Sequence, residues 1–166
     1  MLNSYIEIMI RNAQMRDVKA MYHLLDHFAD KGLLLGRSLS SLYDQLRDFK
    51  VFVEQGDDVE EIVGVCALHI CWEDLAEVRS LAVKDSAQGK GIGRQLVESC
   101  LQDAEALGIK QVFTLTYQPD FFSHRGFDAI DKNELPHKVW SDCINCPKFP
   151  DCNEEAMIWN NSGYEA

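Results

Sequence analysis

Two groups of residues in this chain have the types and spacing to do chemistry. One is Glu77-x-Arg79, set inside the apolar run from Leu75 to Val83. A carboxylate in such a strand is suited to take a proton from a group bound beside it, directly or through a water. The other is the turn Gln88-Gly89-Lys90-Gly91-Ile92-Gly93-Arg94, whose three glycines fall at alternate positions where a helical pattern begins. Glycine there lets backbone N–H groups point into one concavity, and a helix N-terminus adds partial positive charge, so the turn is built to hold phosphate as a pyrophosphate cradle. Lys84, Lys90 and Arg94 surround it with cations, the last two one helical turn apart.

Three phosphate-binding patterns compete for that turn. Walker A requires Gly-Lys followed by Ser or Thr, and no such triplet occurs. The dinucleotide pattern G-x-G-x-x-G meets Gly89 and Gly91 and fails at Arg94. The third pattern, Q/R-x-x-G-x-G/A, is met by Gln88, Gly91 and Gly93, between a strand at Leu75 to Val83 and a helix at Ile92 to Leu107. With Glu77-x-Arg79-x-Leu81-x-Val83 ahead of it and Phe122-x-x-x-Gly126-Phe127 behind it, the chain resembles the GNAT superfamily of acetyl-coenzyme A dependent N-acetyltransferases.

That resemblance implies acetyl-coenzyme A as co-substrate. Its pantetheine arm would run along Leu81, Ala82 and Val83, with a backbone N–H of this strand stabilising the carbonyl oxygen. Its pyrophosphate would sit on Gln88, Gly89, Lys90, Gly91, Ile92, Gly93 and Arg94, with Phe122 among the coenzyme contacts. Glu77, on the same strand face as Arg79 by alternation, is the expected general base. A salt bridge to Arg79 or to a neighbouring strand is its plainer account. Many members carry a tyrosine general acid four residues before Gly-Phe; here that position is Phe122, and Tyr117 lies too far back to inherit the role.

Those residues need a scaffold, and the rest of the chain supplies its elements. Glu7 to Arg11 reads as a strand. Val18, Met21, Tyr22, Leu25 and Phe28 recur at helical spacing, predicting an amphipathic helix from about Met15 to Lys31-Gly32. Ser40 or Ser41 is the expected cap of a second helix through Phe49. Lys50 to Gln55 and Ile62 to Trp72 read as antiparallel strands, followed by the strand Leu75 to Val83. Helix Ile92 to Leu107 leads to a strand Gln111 to Tyr117, a short helix Asp120 to Arg125 opened by Pro119, and a last strand Ala156 to Trp159. The order βααβββαβα with a C-terminal strand is that of the GNAT fold: α/β, with a central mixed, mostly antiparallel sheet and flanking helices.

Composition bounds the partners. The 166 residues are enough for one domain over 1–166 with a single sizeable core. A net charge of -11 argues against a nucleic-acid partner, which is bound by neutralising its phosphates. For an anionic coenzyme, the local cations at the cradle decide instead. No run approaches the ~20 apolar residues of a membrane span, and Met1-Leu2-Asn3-Ser4 does not open a secretion signal. A cytoplasmic protein with its six cysteines mostly as thiols is expected; monomer and homodimer both stay open.

A narrower resemblance rests on Gly32-Leu33-Leu34-Leu35-Gly36-Arg37-Ser38, Phe49-x-Val51, Cys66-Ala67-Leu68, Ala76-Glu77 to Val83 and Phe121-Phe122-x-x-Arg125-Gly126-Phe127. These look like the acetyltransferase domain of bacterial N-acetylglutamate synthases. The stretch LPHKVWSDCINCPKFPDC, residues 135–152, is similar to the short, single-domain form. What this implies is acetylation of the α-amino group of L-glutamate, the first step of arginine biosynthesis. Arg37 would grip a carboxylate, Leu35 and Cys66 would offer backbone contacts, and Lys138 would be a second basic group. Arg79 could add a third cation. Taken without the resemblance, Arg37 is a solvated loop residue.

Metal sites are expected to be absent. Cys143-x-x-Cys146 with Cys152, and His137 or Asp142 nearby, lacks the second paired knuckle of a zinc knot. His23 and His27 lie four apart with no third ligand close in sequence, as solvated helix residues do. Two other readings stand beside glutamate acetylation: an acetyltransferase for another amino acid or small amine, and a non-enzymatic coenzyme A-binding or cysteine-based metal or redox sensing module.

Overall fold

A computed structural model describes residues 9–56, 58–136 and 153–165. The strands are β1 (Ile10–Asn12), β2 (Phe49–Gln55), β3 (Glu60–Trp72), β4 (Leu75–Val83), β5 (Gln111–Thr116), β6 (Asp128–Ile130) and β7 (Glu155–Asn160). The helices are α1 (Val18–Asp30), α2 (Leu39–Asp44), α3 (Ile92–Leu107) and α4 (Pro119–Ser123). The strands form a seven-stranded sheet in the order β1-β2-β3-β4-β5-β7-β6. The fold is the expected mixed α/β GNAT fold. No helix among the described residues is long and apolar enough to cross a membrane.

The chain divides into two compact units, Met1–Leu68 with Ser80–Cys100, and His69–Arg79 with Leu101–Ala166. In the first, α1 buries Val18, Met21, Leu25 and Phe28, the predicted stripe, against Phe49, Val51 and Val53 of β2, Val65 and Ala67 of β3 and Ala82 of β4. Burying each large apolar side chain contributes about 1.5–3 kcal/mol. β2 pairs antiparallel with β1 and with β3, and the β2–β3 register shifts between Phe52 and Val53. Gly64 of β3 leaves no room for a side chain: a Cβ there would lie 2.9 Å from Leu96 Cδ1 and 3.0 Å from Ile92 Cγ2. This close approach seats the first turns of α3, the helix that follows the cradle, on the sheet.

A polar cluster closes the edge of this unit. Asp17, buried, accepts from Arg11 Nη1 at 2.6 Å and Nη2 at 3.0 Å and from the Gln14 N–H at 2.7 Å. Arg11 also reaches Glu60 at 3.1 Å.

In the second unit β5 pairs in parallel with β4 over Leu75–Glu77 and antiparallel with β7 over its whole length. Leu75, Phe113, Leu135 and Ala156 form its small core, with Cys71, Leu115 and Ile130 against it. The three-residue strand β6, absent from the predicted order, adds to the far side of β7.

Several boundaries differ from expectation, most of them by one or two residues at strand ends. Ser38, not Ser40 or Ser41, caps α2 by accepting from the Ser41 N–H at 3.1 Å, and a 3-10 turn over Leu46–Asp48 brings Phe49 into β2 instead of ending a helix. Three closely spaced serines offer the same cap chemistry, and only the backbone at Ser38, extended at φ -72°, ψ 159°, suits it. Strand β1 begins at Ile10, with Glu7 and Ile8 outside the described residues. Helix α4 starts at Pro119 itself and ends at Ser123.

Candidate active site

The central strand forms where predicted, Leu75 to Val83. Ala76, Val78 and Ala82 are buried, while Glu77, Arg79, Leu81 and Val83 are half-buried, so the alternation separates a core face from one that carries chemistry. Arg79 Nη1 stands 3.5 Å from Glu77 Oε1, with side chains only 8% and 14% exposed. The ion pair foreseen as the plain account of Glu77 is present. It does not remove the carboxylate from consideration as a base, because a single contact at 3.5 Å from Oε1 leaves the carboxylate with further lone pairs to accept a proton.

β4 is interrupted where that pair ends. Thr114 Oγ1, buried on β5, donates to the Val78 carbonyl at 2.9 Å. Ser80 then adopts the left-handed conformation, φ +54°, unusual for a residue with a Cβ. Further along, the Lys84 N–H donates to the Val63 carbonyl of β3 at 2.8 Å.

The cradle follows through a 3-10 turn over Asp85–Ala87. Gln88 Nε2 donates back to the Val83 carbonyl at 3.0 Å and to Asp85 Oδ1 at 3.3 Å, which ties the first cradle residue to the strand end. Gly89 and Gly91 both have φ +80°, a conformation that L side chains rarely adopt. A Cβ at Gly91 would also stand 3.4 Å from Arg94 Nη2. The first bond of α3 runs from the Gln95 N–H to the Gly91 carbonyl, 3.1 Å, so the N–H groups of Ile92, Gly93 and Arg94 lie ahead of the helical ladder. A turn of this conformation at a helix N-terminus can receive an anion.

Two of the three cations expected to cluster at the cradle are paired with carboxylates. Lys84 pairs with Glu61, and Lys90 Nζ is 3.7 Å from Glu54 Oε1, both partners belonging to the β2–β3 hairpin. Arg94 is exposed beside Gly91. On the other shoulder His27 Nε2 of α1 and Lys31 Nζ, from the residue that caps its C-terminus, meet Asp85 Oδ2 at 2.9 and 3.6 Å. The hydrogen bond from His27, with further help from Lys31, holds the Asp85 carboxyl below the usual carboxylate range. His27 is exposed on its helix, as expected. Its partner lies 58 residues away in sequence, beyond the reach of any local pattern.

The residues assigned to the acceptor fall as follows. Arg37 is half-buried and Leu35 exposed, in the loop from α1 to the Ser38 cap. Gly36 fixes that loop against α1, since a Cβ there would lie 3.3 Å from Ala29 Cβ. Cys66 is fully buried opposite Lys50 of β2. A hydrogen bond with Cys100, and burial after it, push the Cys66 thiol well above its usual range. The Cys66 side chain is a buried core group, and its proposed contact with an acceptor is through its backbone. Phe122 is buried, edge-on to Phe121 at 5.1 Å and to Phe127 at 5.2 Å. At the position of the superfamily's tyrosine this ring provides no acid. Lys138, His137, Asp142, Cys143, Cys146 and Cys152 lie outside the described residues. Among the described residues no three His, Cys, Asp or Glu side chains gather as metal ligands.

Comparison with known proteins bears directly on this arrangement. The model of the acetyltransferase (GNAT) family matches residues 18–127, from the start of α1 past the cradle to Phe127. An uncharacterised N-acetyltransferase of Chlorobaculum tepidum is 38% identical over 149 residues, 90% of this chain and 94% of its own length. The amino-acid acetyltransferase of Mycobacterium tuberculosis is 37% identical over 133 residues, 80% of this chain and 75% of its own. N-acetylglutamate synthase from Neisseria gonorrhoeae, solved with coenzyme A and N-acetyl-glutamate, superposes with a TM-score of 0.79 at 26% identity. The match covers 91% of this chain but only 34% of that one. The family model spans the strand, the glycine turn and the helix it opens, and the chain belongs to the GNAT family as an acetyl-coenzyme A dependent N-acetyltransferase.

Proposed function

We propose that the acceptor is L-glutamate and that the enzyme acetylates its α-amino group, the entry reaction of arginine biosynthesis. The observation that carries this reading is the half-buried Arg37, set in a loop packed on α1 and followed directly by the Ser38 cap. A planar guanidinium can grip a carboxylate through two hydrogen bonds. Support comes from the amino-acid acetyltransferase and N-acetylglutamate synthase relatives. Arg79, Lys138 and the backbone at Leu35 and Cys66 complete the proposed acceptor contacts.

In this mechanism Gln88, Gly89, Lys90, Gly91, Ile92, Gly93 and Arg94 hold the pyrophosphate, and Leu81, Ala82 and Val83 align the pantetheine arm beside β4. Glu77 takes the proton of the α-ammonium, directly or through a water, freeing the lone pair. The amine attacks the thioester carbonyl, the C–N bond forms, and a β4 backbone N–H stabilises the oxyanion. Collapse breaks the C–S bond: coenzyme A leaves as its thiolate, and the second proton, shed by the nitrogen as it becomes an amide, passes to solvent or to that thiolate. Arg79, 3.5 Å from Glu77 Oε1, orients the Glu77 carboxylate.

A screen of the amino acids as acceptors, read by acetyl-coenzyme A consumption, is the test. Glutamate should be the fastest at equal concentration. Faster acetylation of a neutral or basic amino acid would replace this reading with that of a GNAT enzyme for another acceptor.

A further inference from the structure

The cradle glutamine is fixed by more than its own turn. Gln88 donates to Asp85 Oδ1, the Gln88 N–H donates to the Asp85 carbonyl at 3.4 Å, and the other carboxylate oxygen of Asp85 is taken by His27 Nε2 at 2.9 Å and Lys31 Nζ at 3.6 Å. A carboxylate only accepts, so Nε2 of His27 carries the hydrogen. The His27 ring is in turn set edge-on to Phe28, a buried member of the α1 stripe, with centroids 5.1 Å apart. A continuous chain of contacts thus runs from the apolar core through Phe28, His27 and Asp85 to Gln88. We infer that His27 and Asp85 are positioning residues for the coenzyme: they lock the Gln88 side chain and the 3-10 turn before it, so that the glycine turn is already formed when the pyrophosphate arrives.

The physical gain is preorganisation. Gln88, Asp85 and Ser86 are exposed, and ordering an exposed, rotamer-rich side chain on binding costs affinity that a fixed one does not lose. Asp85 is well suited to this because its two oxygens face different elements, one towards the cradle and one towards α1. An alternative in which His27 and Lys31 act as additional cations for the coenzyme's phosphates predicts a different outcome, since a direct charge contact does not depend on Gln88.

The inference rests on the cradle assignment, and the experiment separates the two. Coenzyme A affinity is measured by calorimetry on His27→Ala, Gln88→Ala, the double variant, His27→Gln and, as control, Gly91→Val. His27→Ala should weaken coenzyme A binding about 3–10-fold, and it should have no further effect once Gln88 is alanine, because the contact it supports is gone. His27→Gln, whose amide N–H can still reach Asp85, should restore most of the affinity. The inference is overturned by an equal loss in both backgrounds, by no loss in the parent, or by His27→Gln behaving as His27→Ala. Undiminished affinity in a folded Gly91→Val would overturn the cradle assignment itself.

Discussion

Glu77 and Arg79 occupy alternate positions of one strand with 3.5 Å between Oε1 and Nη1, both nearly enclosed by protein. The pair is the plain structural account of Glu77, and the same carboxylate is the general base of the proposed mechanism. These two roles separate by experiment. Glu77→Gln keeps shape and volume but removes the proton acceptor, so kcat should fall by ~10²–10⁴-fold at neutral pH with coenzyme affinity little changed. A purely structural carboxylate would instead show lowered thermal stability and a pH–rate profile of unaltered shape.

Ser80, next after that pair, carries the one left-handed backbone angle within β4. Conformations of this kind cost a residue with a Cβ about 1–2 kcal/mol. Ser80→Gly should therefore be neutral to slightly stabilising, and Ser80→Val should destabilise by about 1–3 kcal/mol in chemical denaturation. A valine variant as stable as the parent would show that the strand turns here without strain.

Asp17 gives a pH dependence whose sign can be worked out. Burial acts to raise its carboxyl, but the hydrogen bond from Arg11 and that from the Gln14 N–H, with the charges of Arg11 and Arg16, outweigh burial and hold it below its ordinary value. A carboxyl depressed in the folded state contributes stability that is present above its unfolded value, near 4, and is lost as pH falls through the folded value. Asp17→Asn should cost about 1–3 kcal/mol at pH 7, and the difference from the parent should shrink as pH drops below ~4. A constant difference from pH 7 to pH 3 would mean that the ion pair contributes nothing.

The sequence was most legible where glycine or long periodicity forced one reading. Leu75 to Val83 and Ile92 to Leu107 form with the predicted bounds because the glycine turn between them can only join a strand to a helix. The α1 stripe was equally clear from Val18, Met21, Leu25 and Phe28. Strand β6 escaped because Asp128, Ala129 and Ile130 are too few to show an alternation, and only β7 makes them a strand. At the site, the residue types on β4 and in the cradle announced themselves. The carboxylates that hold Lys84 and Lys90, and the link from His27 to Asp85, depend on chain segments far apart in sequence, and no spacing rule reports them.

Substrate choice falls on Arg37. It lies outside the cradle, in the loop after α1, so its removal should be felt by the acceptor and not by the coenzyme. Loss of a charge-assisted, two-point contact weakens binding by ~1.5–3 kcal/mol, and Arg37→Ala should accordingly raise the KM for glutamate by ~10–100-fold while the affinity for coenzyme A hardly moves. Arg37→Lys keeps the charge but not the fork, and should fall between the two. Glutamine, one charge short of glutamate at the same shape, reports which carboxylate Arg37 holds. If it holds the side-chain carboxylate, the parent enzyme should discriminate against glutamine and Arg37→Ala should lose that discrimination; if it holds the α-carboxylate, both acceptors should suffer equally. An unchanged KM for glutamate in a folded Arg37→Ala would remove this residue from the acceptor site, and with it the observation on which the glutamate reading stands.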